Sequence, residues 1–156
     1  MLNFNVHPLL VHFPIALLTV YSFLEFVPIK KITNLSWWFY VKAAFLSLGV
    51  LLAIPTGFAG KIIEGQFREK HALVNLHSHF AIAASAVYAL IALIYLLAFL
   101  SRSKTQIKLP LPKIVIIILA LVGLIIILIT GALGGVIVYG ANLDPFTAFV
   151  YHLFFR

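Results

Sequence analysis

Six histidines, His7, His12, His71, His77, His79 and His152, stand in a chain of 156 residues that holds four acidic side chains and no cysteine. Without cysteine, disulfides, zinc ribbons, thiolate-held iron-sulfur clusters and thioether-attached haem are excluded. No HExxH string, paired carboxylates, nucleophile with an adjacent base, or phosphate loop appears either. The chemistry left to this inventory is that of the neutral imidazole, a ligand for haem iron or for a copper, iron or zinc ion.

The spacing of two of these histidines recurs. His12-Phe13-Pro14-Ile15-Ala16 precedes Val20-Tyr21, and His79-Phe80-Ala81-Ile82-Ala83 precedes Val87-Tyr88. Farther along, Thr56-Gly57-Phe58-Ala59-Gly60 is answered by Thr130-Gly131-Ala132-Leu133-Gly134. A histidine followed by a TGxxG string in each half implies an internal repeat, about 7–60 and about 71–140.

The elements that must position these residues are transmembrane helices. The composition is 63% hydrophobic and 10% charged, far from that of a water-soluble fold. The apolar residues fall in four blocks of about 20, the length that crosses a hydrocarbon core. Helices are expected at about 8–27, 37–59, 76–100 (with a wetter extension from Arg68) and 114–139. Pro8 suits a first helical position and Pro28 ends the first span. Trp37, Trp38 and Tyr40 form an interfacial anchor. The first block is read as a retained helix rather than a cleaved signal. After Asp144-Pro145, the stripe Phe146, Phe149, Val150, Leu153 and Phe154 predicts a short amphipathic helix, about 145–155, lying in the membrane interface.

The expected fold is therefore all-α, one integral membrane domain over 1–156. It is a four-helix transmembrane bundle of two parallel helical-hairpin repeats, plus the short C-terminal interfacial helix. The formal charge of +7 resides in loops, which argues topology rather than nucleic-acid binding. Lys30, Lys31, Arg102, Lys104, Lys108 and Lys113 flank one side with no acidic residue, whereas Lys61, Arg68, Lys70 and Arg156 mix with Glu64, Glu69 and Asp144 on the other. The positive-inside rule then predicts a multi-pass protein of the plasma or inner membrane with both termini outside. Glu25, the one carboxylate within a span, is expected to snorkel to the cytoplasmic interface, and Lys42 likewise.

A parallel repeat has its pseudo-twofold axis along the membrane normal, so His12 and His79 are expected to face one another near the outer boundary. Two imidazoles across a four-helix bundle hold haem b without covalent attachment. His12 and His79 are the expected axial ligands. His77, about 200° around the helix from His79, is the alternative, since only one of the two can face the axis. Ala16, Thr19, Ala83 and Ala86 leave room below the imidazoles, and Gly57 and Gly131, with Gly60 and Gly134, relieve the facing helices. His7, His77 or Arg68 would meet propionates. The expected activity is electron transfer with redox proteins at the outer face rather than stand-alone catalysis. The alternatives are a transition metal held by three of His7, His12, His71, His77 and His79, or a cofactor-free structural or assembly subunit in the lipid bilayer. A transporter is poorly served, Pro55-Thr56-Gly57 being the one hint of a broken helix.

The opening His7-Pro8-Leu9-Leu10-Val11-His12-Phe13-Pro14-Ile15-Ala16, the run His71-Ala72-Leu73-Val74-Asn75 and the close Thr130-Gly131-Ala132-Leu133-Gly134-Gly135-Val136-Ile137-Val138-Tyr139 resemble the bacterial membrane family catalogued as domain of unknown function 2231. The resemblance covers essentially the whole chain. It implies a four-helix membrane protein, redox company through members fused to Rieske or cytochrome-like domains, and site roles for His7, His12, His71 and Asn75. Where the family often continues from the tyrosine into a His-Gly pair, this chain has Gly140-Ala141, so a fourth-helix ligand is not offered there.

Overall fold

The computed structural model describes residues 6–28, 30–33, 35, 37–104 and 112–155. Five helices carry the architecture: α1 (His7–Phe26), α2 (Trp38–Ile63), α3 (His71–Lys104), α4 (Lys113–Tyr139) and α5 (Pro145–Phe154). A single turn, Lys30–Thr33, lies between α1 and α2, and a 3-10 segment, Glu64–Lys70, joins α2 to α3. α1 to α4 are each long and apolar enough to cross a membrane. Only 22% of each most apolar window is buried inside the protein, so most of their leucine and isoleucine faces outward, as a lipid-solvated bundle requires.

Local sequence sets the helix ends. Pro8 occupies the first turn of α1, and Val27, the residue before Pro28, leaves the helix for an extended conformation. α4 stops where Gly140 takes φ +92, a conformation costly for any side-chain-bearing residue. The α2–α3 connection bends at Phe67 (φ −111, ψ 37), which gives α3 a start at His71, five residues earlier than its apolar run suggests. Asp144 caps α5 by accepting from the amides of Phe146 and Thr147.

α1 packs along α2 and α3 along α4, and the two hairpins meet through α1 on α4 and α2 on α3. That closed ring puts α1 and α3 on a diagonal, and side chains bridge it. The Tyr21 and Tyr88 rings stand edge to face with centroids 6.2 Å apart, Ser22 Oγ is 2.7 Å from the Tyr88 hydroxyl, and Tyr95 donates to Glu25. The main core gathers Leu18, Tyr21, Leu46, Tyr88, Ile91, Tyr95, Ile116 and Ala120. Glu25 does not reach for headgroups: its Oε2 accepts from Lys42 Nζ at 2.7 Å, and both side chains are largely buried. A carboxylate and an ammonium in lipid are less costly together than apart, and two helices of one hairpin supply them.

A second core sits at the opposite end, where Leu73 and Val74 of α3 meet Leu133, Val136 and Ile137 of α4 and Val150 of α5. Docking splits the apolar stripe expected on α5: Val150 is buried and Phe154 packs on Phe80, while Phe146, Phe149 and Leu153 stay exposed. Lys70 closes the end of α4 by donating to the Ile137 carbonyl at 2.8 Å, a cation on helix carbonyls that lack a partner in the helix itself.

Candidate functional site

Two imidazoles are fixed in the same way at the end of the bundle where α1 and α3 begin. His7 Nδ1 lies 3.0 Å from the Thr56 carbonyl oxygen of α2, and His77 Nδ1 lies 3.0 Å from the Thr130 carbonyl oxygen of α4. Each ring nitrogen donates, since a carbonyl oxygen only accepts. In each neutral imidazole Nε2 then carries the lone pair, the form that ligates metal ions.

The TGxxG strings explain how an imidazole reaches a helix carbonyl. In an α-helix the carbonyl of residue i points along the axis toward residue i+4, and a side chain at i+4 normally covers the approach. Here i+4 is glycine. A Cβ built on Gly60 would stand 2.9 Å from His7 Cε1, and one on Gly134 would stand 3.2 Å from His77 Cε1. The first glycine of each string has no such duty: nothing lies within 4 Å of a Cβ on Gly57 or Gly131, and both face outward.

Pro14 and Thr56 add a further link. Pro14 lacks the N–H that would bond the Leu10 carbonyl. The Thr56 hydroxyl, which donates to Leu52 O at 2.8 Å, lies 3.4 Å from that carbonyl.

The remaining histidines do not join the pair. His12 is exposed and turns Nδ1 back onto Pro8 O of its own helix at 2.6 Å. His79 is exposed on α3, so of the two close neighbours it is His77 that faces the bundle. His71 is exposed, with its Nδ1 3.5 Å from Asn75 Nδ2, and His152 is exposed on α5 against Tyr151. The Arg68 side chain lies outside the described residues. Among the described residues, no three histidine, aspartate or glutamate side chains converge as a metal-holding group. The arrangement offers two matched imidazoles, one on each hairpin.

Sequence strings pointed to His12 and His79, whereas equivalent contacts follow another register. His7 and His77, and Leu18 and Tyr88, stand 70 positions apart; Gly49 and Gly123, Thr56 and Thr130, and Gly60 and Gly134 stand 74 apart. Leu18 packs on Gly49 as Tyr88 packs on Gly123. The His-Phe-x-Ile-Ala strings are 67 apart, three residues and most of a helical turn out of this register. The legible signal was the TGxxG pair, from which the matching imidazole had to be sought by facing position rather than by local identity.

Residues 3–144 match a family model described as a predicted membrane protein, DUF2231. No curated protein and no solved structure matches the chain.

Proposed function

The chain belongs to the DUF2231 family of predicted membrane proteins, and on the geometry above we propose that it is a membrane-embedded haem b protein for electron transfer, with His7 and His77 as the axial ligands. The observation that carries this reading is the matched pair of Nδ1-to-carbonyl bonds. Metal-ligating histidines characteristically donate the second ring nitrogen to a carbonyl or carboxylate, which fixes the tautomer and raises ligand basicity. Two such ligands suffice for a porphyrin iron, whose macrocycle supplies the other four donors; a bare zinc or copper site would call for a third. Seven residues beyond each imidazole stand Pro14 and Ala84, both buried and small enough to spare room toward the bundle axis. Bound there, haem would supply one-electron transfer. The chain's own part is to hold both rings rigidly on two hairpins and to surround them with apolar helix.

The recurrence of these contacts at a constant register supports two parallel helical-hairpin repeats related by an axis along the membrane normal. The loop charges support a topology with both termini outside, which puts the imidazole pair near the outer face, within reach of extracytoplasmic redox partners. The exposed Phe146, Phe149 and Leu153 support α5 as an interfacial helix.

Absorption spectra of detergent-purified protein, made in haem-sufficient cells and recorded oxidised and dithionite-reduced, test the reading. A Soret band with a sharpened α band on reduction is expected. His7→Ala and His77→Ala should each lose it, while His12→Ala and His79→Ala keep it. A colourless, folded parent protein would overturn the proposal in favour of a cofactor-free scaffold, and loss confined to the His12 and His79 variants would overturn the ligand assignment.

A further inference from the structure

At the other end of the bundle the Glu25 carboxylate has both oxygens engaged. Oε2 accepts from Lys42 Nζ, and Oε1 accepts from the Tyr95 hydroxyl. The Lys42 ammonium also lies 5.7 Å from the centre of the Tyr95 ring. One turn from Glu25 on the same face of α1 is Tyr21, fully buried, its ring 6.0 Å from that of Tyr95. The Tyr21 hydroxyl makes no well-formed hydrogen bond among the described residues, although it lies close to the Glu25 carboxylate and the Tyr95 hydroxyl. Its neighbour Tyr88 has one: Ser22 donates to Leu18 O, so the Tyr88 hydroxyl donates to Ser22 Oγ. A buried hydroxyl without a well-formed hydrogen bond is destabilising and needs a reason.

We propose that Glu25 is an intramembrane proton-binding site, with the Lys42 ammonium as its exchangeable countercharge and the Tyr21 hydroxyl as the acceptor that waits for the protonated acid. The balance is simple. Glu25 takes one proton from water at the nearby membrane surface. Lys42 stays protonated and withdraws along its four-carbon stem toward that surface, one turn away at the start of α2. The new carboxylic O–H donates to the Tyr21 oxygen. The bundle interior carries one negative and one positive charge before the exchange and a neutral acid after it, so neither state buries a net charge. Among the described residues, the titratable groups placed against Glu25 are Lys42 from α2, Tyr95 from α3 and Tyr21 from α1, while α4 contributes apolar Ile116 and Ala120 to the same core. Nothing here requires a cofactor at the imidazole pair.

Infrared spectroscopy of the purified protein in lipid reads the carboxylic C=O stretch directly. Lys42→Met should show that band at neutral pH, where the parent protein shows carboxylate. Lys42→Met combined with Glu25→Gln should lose it. Lys42→Met combined with Tyr21→Phe should keep its intensity but move it to higher wavenumber, because the hydrogen bond is gone. Should Lys42→Met fail to fold, acid titration of the parent, of Tyr21→Phe and of Glu25→Gln gives the same three readings. A Glu25 that stays ionised without Lys42, a parent that unfolds in acid with no such band, or a band indifferent to Tyr21→Phe would overturn the proposal.

Discussion

At the scale of single residues, the site turns on which glycine of each TGxxG string stands beneath an imidazole. Gly60 and Gly134 do; Gly57 and Gly131 face open space. Gly60→Ala should therefore push His7 off the Thr56 carbonyl and cost about 1–3 kcal/mol, the usual range for overpacking. Gly134→Ala should do the same to His77 more mildly, since the approach there is 3.2 Å rather than 2.9 Å. Gly57→Ala and Gly131→Ala should be neutral or stabilising by up to about 1 kcal/mol, because alanine restricts the unfolded chain and meets nothing in the folded one. Thermal unfolding in detergent separates the two classes, and equal effects of all four would refute the division. Sequence alone singled out all four glycines together with His7, His77, His12 and His79. It did not choose among them, because a small residue that admits a ring and one that merely faces lipid look alike until the opposing helix is placed.

At the scale of elements, helix ends were the legible part and side-chain partners the illegible one. Pro8, Pro28 and Asp144-Pro145 act through their own backbone chemistry, so they mark boundaries wherever the bundle goes, whereas the stop at Gly140 came from the structure. Lys70 on the Ile137 carbonyl and Lys42 on Glu25 depend on which helices are neighbours, which no local pattern states. The α5 cap makes an element-level prediction. Bonds from the Thr147 hydroxyl, and then from the amides of Thr147 and Phe146, hold the Asp144 carboxyl below its ordinary range. A depressed folded-state value means that the cap's contribution is complete above the unfolded carboxylate range and is lost only as pH falls through the lowered folded value. The first turn of α5 should thus stay ordered at neutral pH and fray in strong acid, as read from the Phe146 and Thr147 amide resonances against pH. Asp144→Asn, which still caps but does not titrate, should flatten that profile. A parent protein whose α5 amides show no acid transition, or an asparagine variant that shows the same one, would contradict the assignment.

At the scale of the whole molecule, polarity is concentrated at two ends of an apolar ring of helices. His7 and Glu25 are 18 residues apart on one helix, about 27 Å, close to the thickness of a hydrocarbon core. Each polar end therefore belongs to one membrane face, and which end faces the cytoplasm decides where an electron or a proton would enter. Loop charge gives the answer to be tested: the α1–α2 and α3–α4 connections carry basic residues without acidic ones, whereas the histidine end mixes both signs. Because the chain has no cysteine, single replacements report topology cleanly. Asn142→Cys, in the exposed turn between α4 and α5, should react with a membrane-impermeant maleimide on intact cells. Leu35→Cys, exposed between α1 and α2, should react only after permeabilisation. The opposite pattern would put the imidazole pair on the cytoplasmic side and the Glu25 site on the outer one. The geometry of both sites would stand, but partners for the proposed redox role would then be sought inside the cell and the proposed proton source outside it.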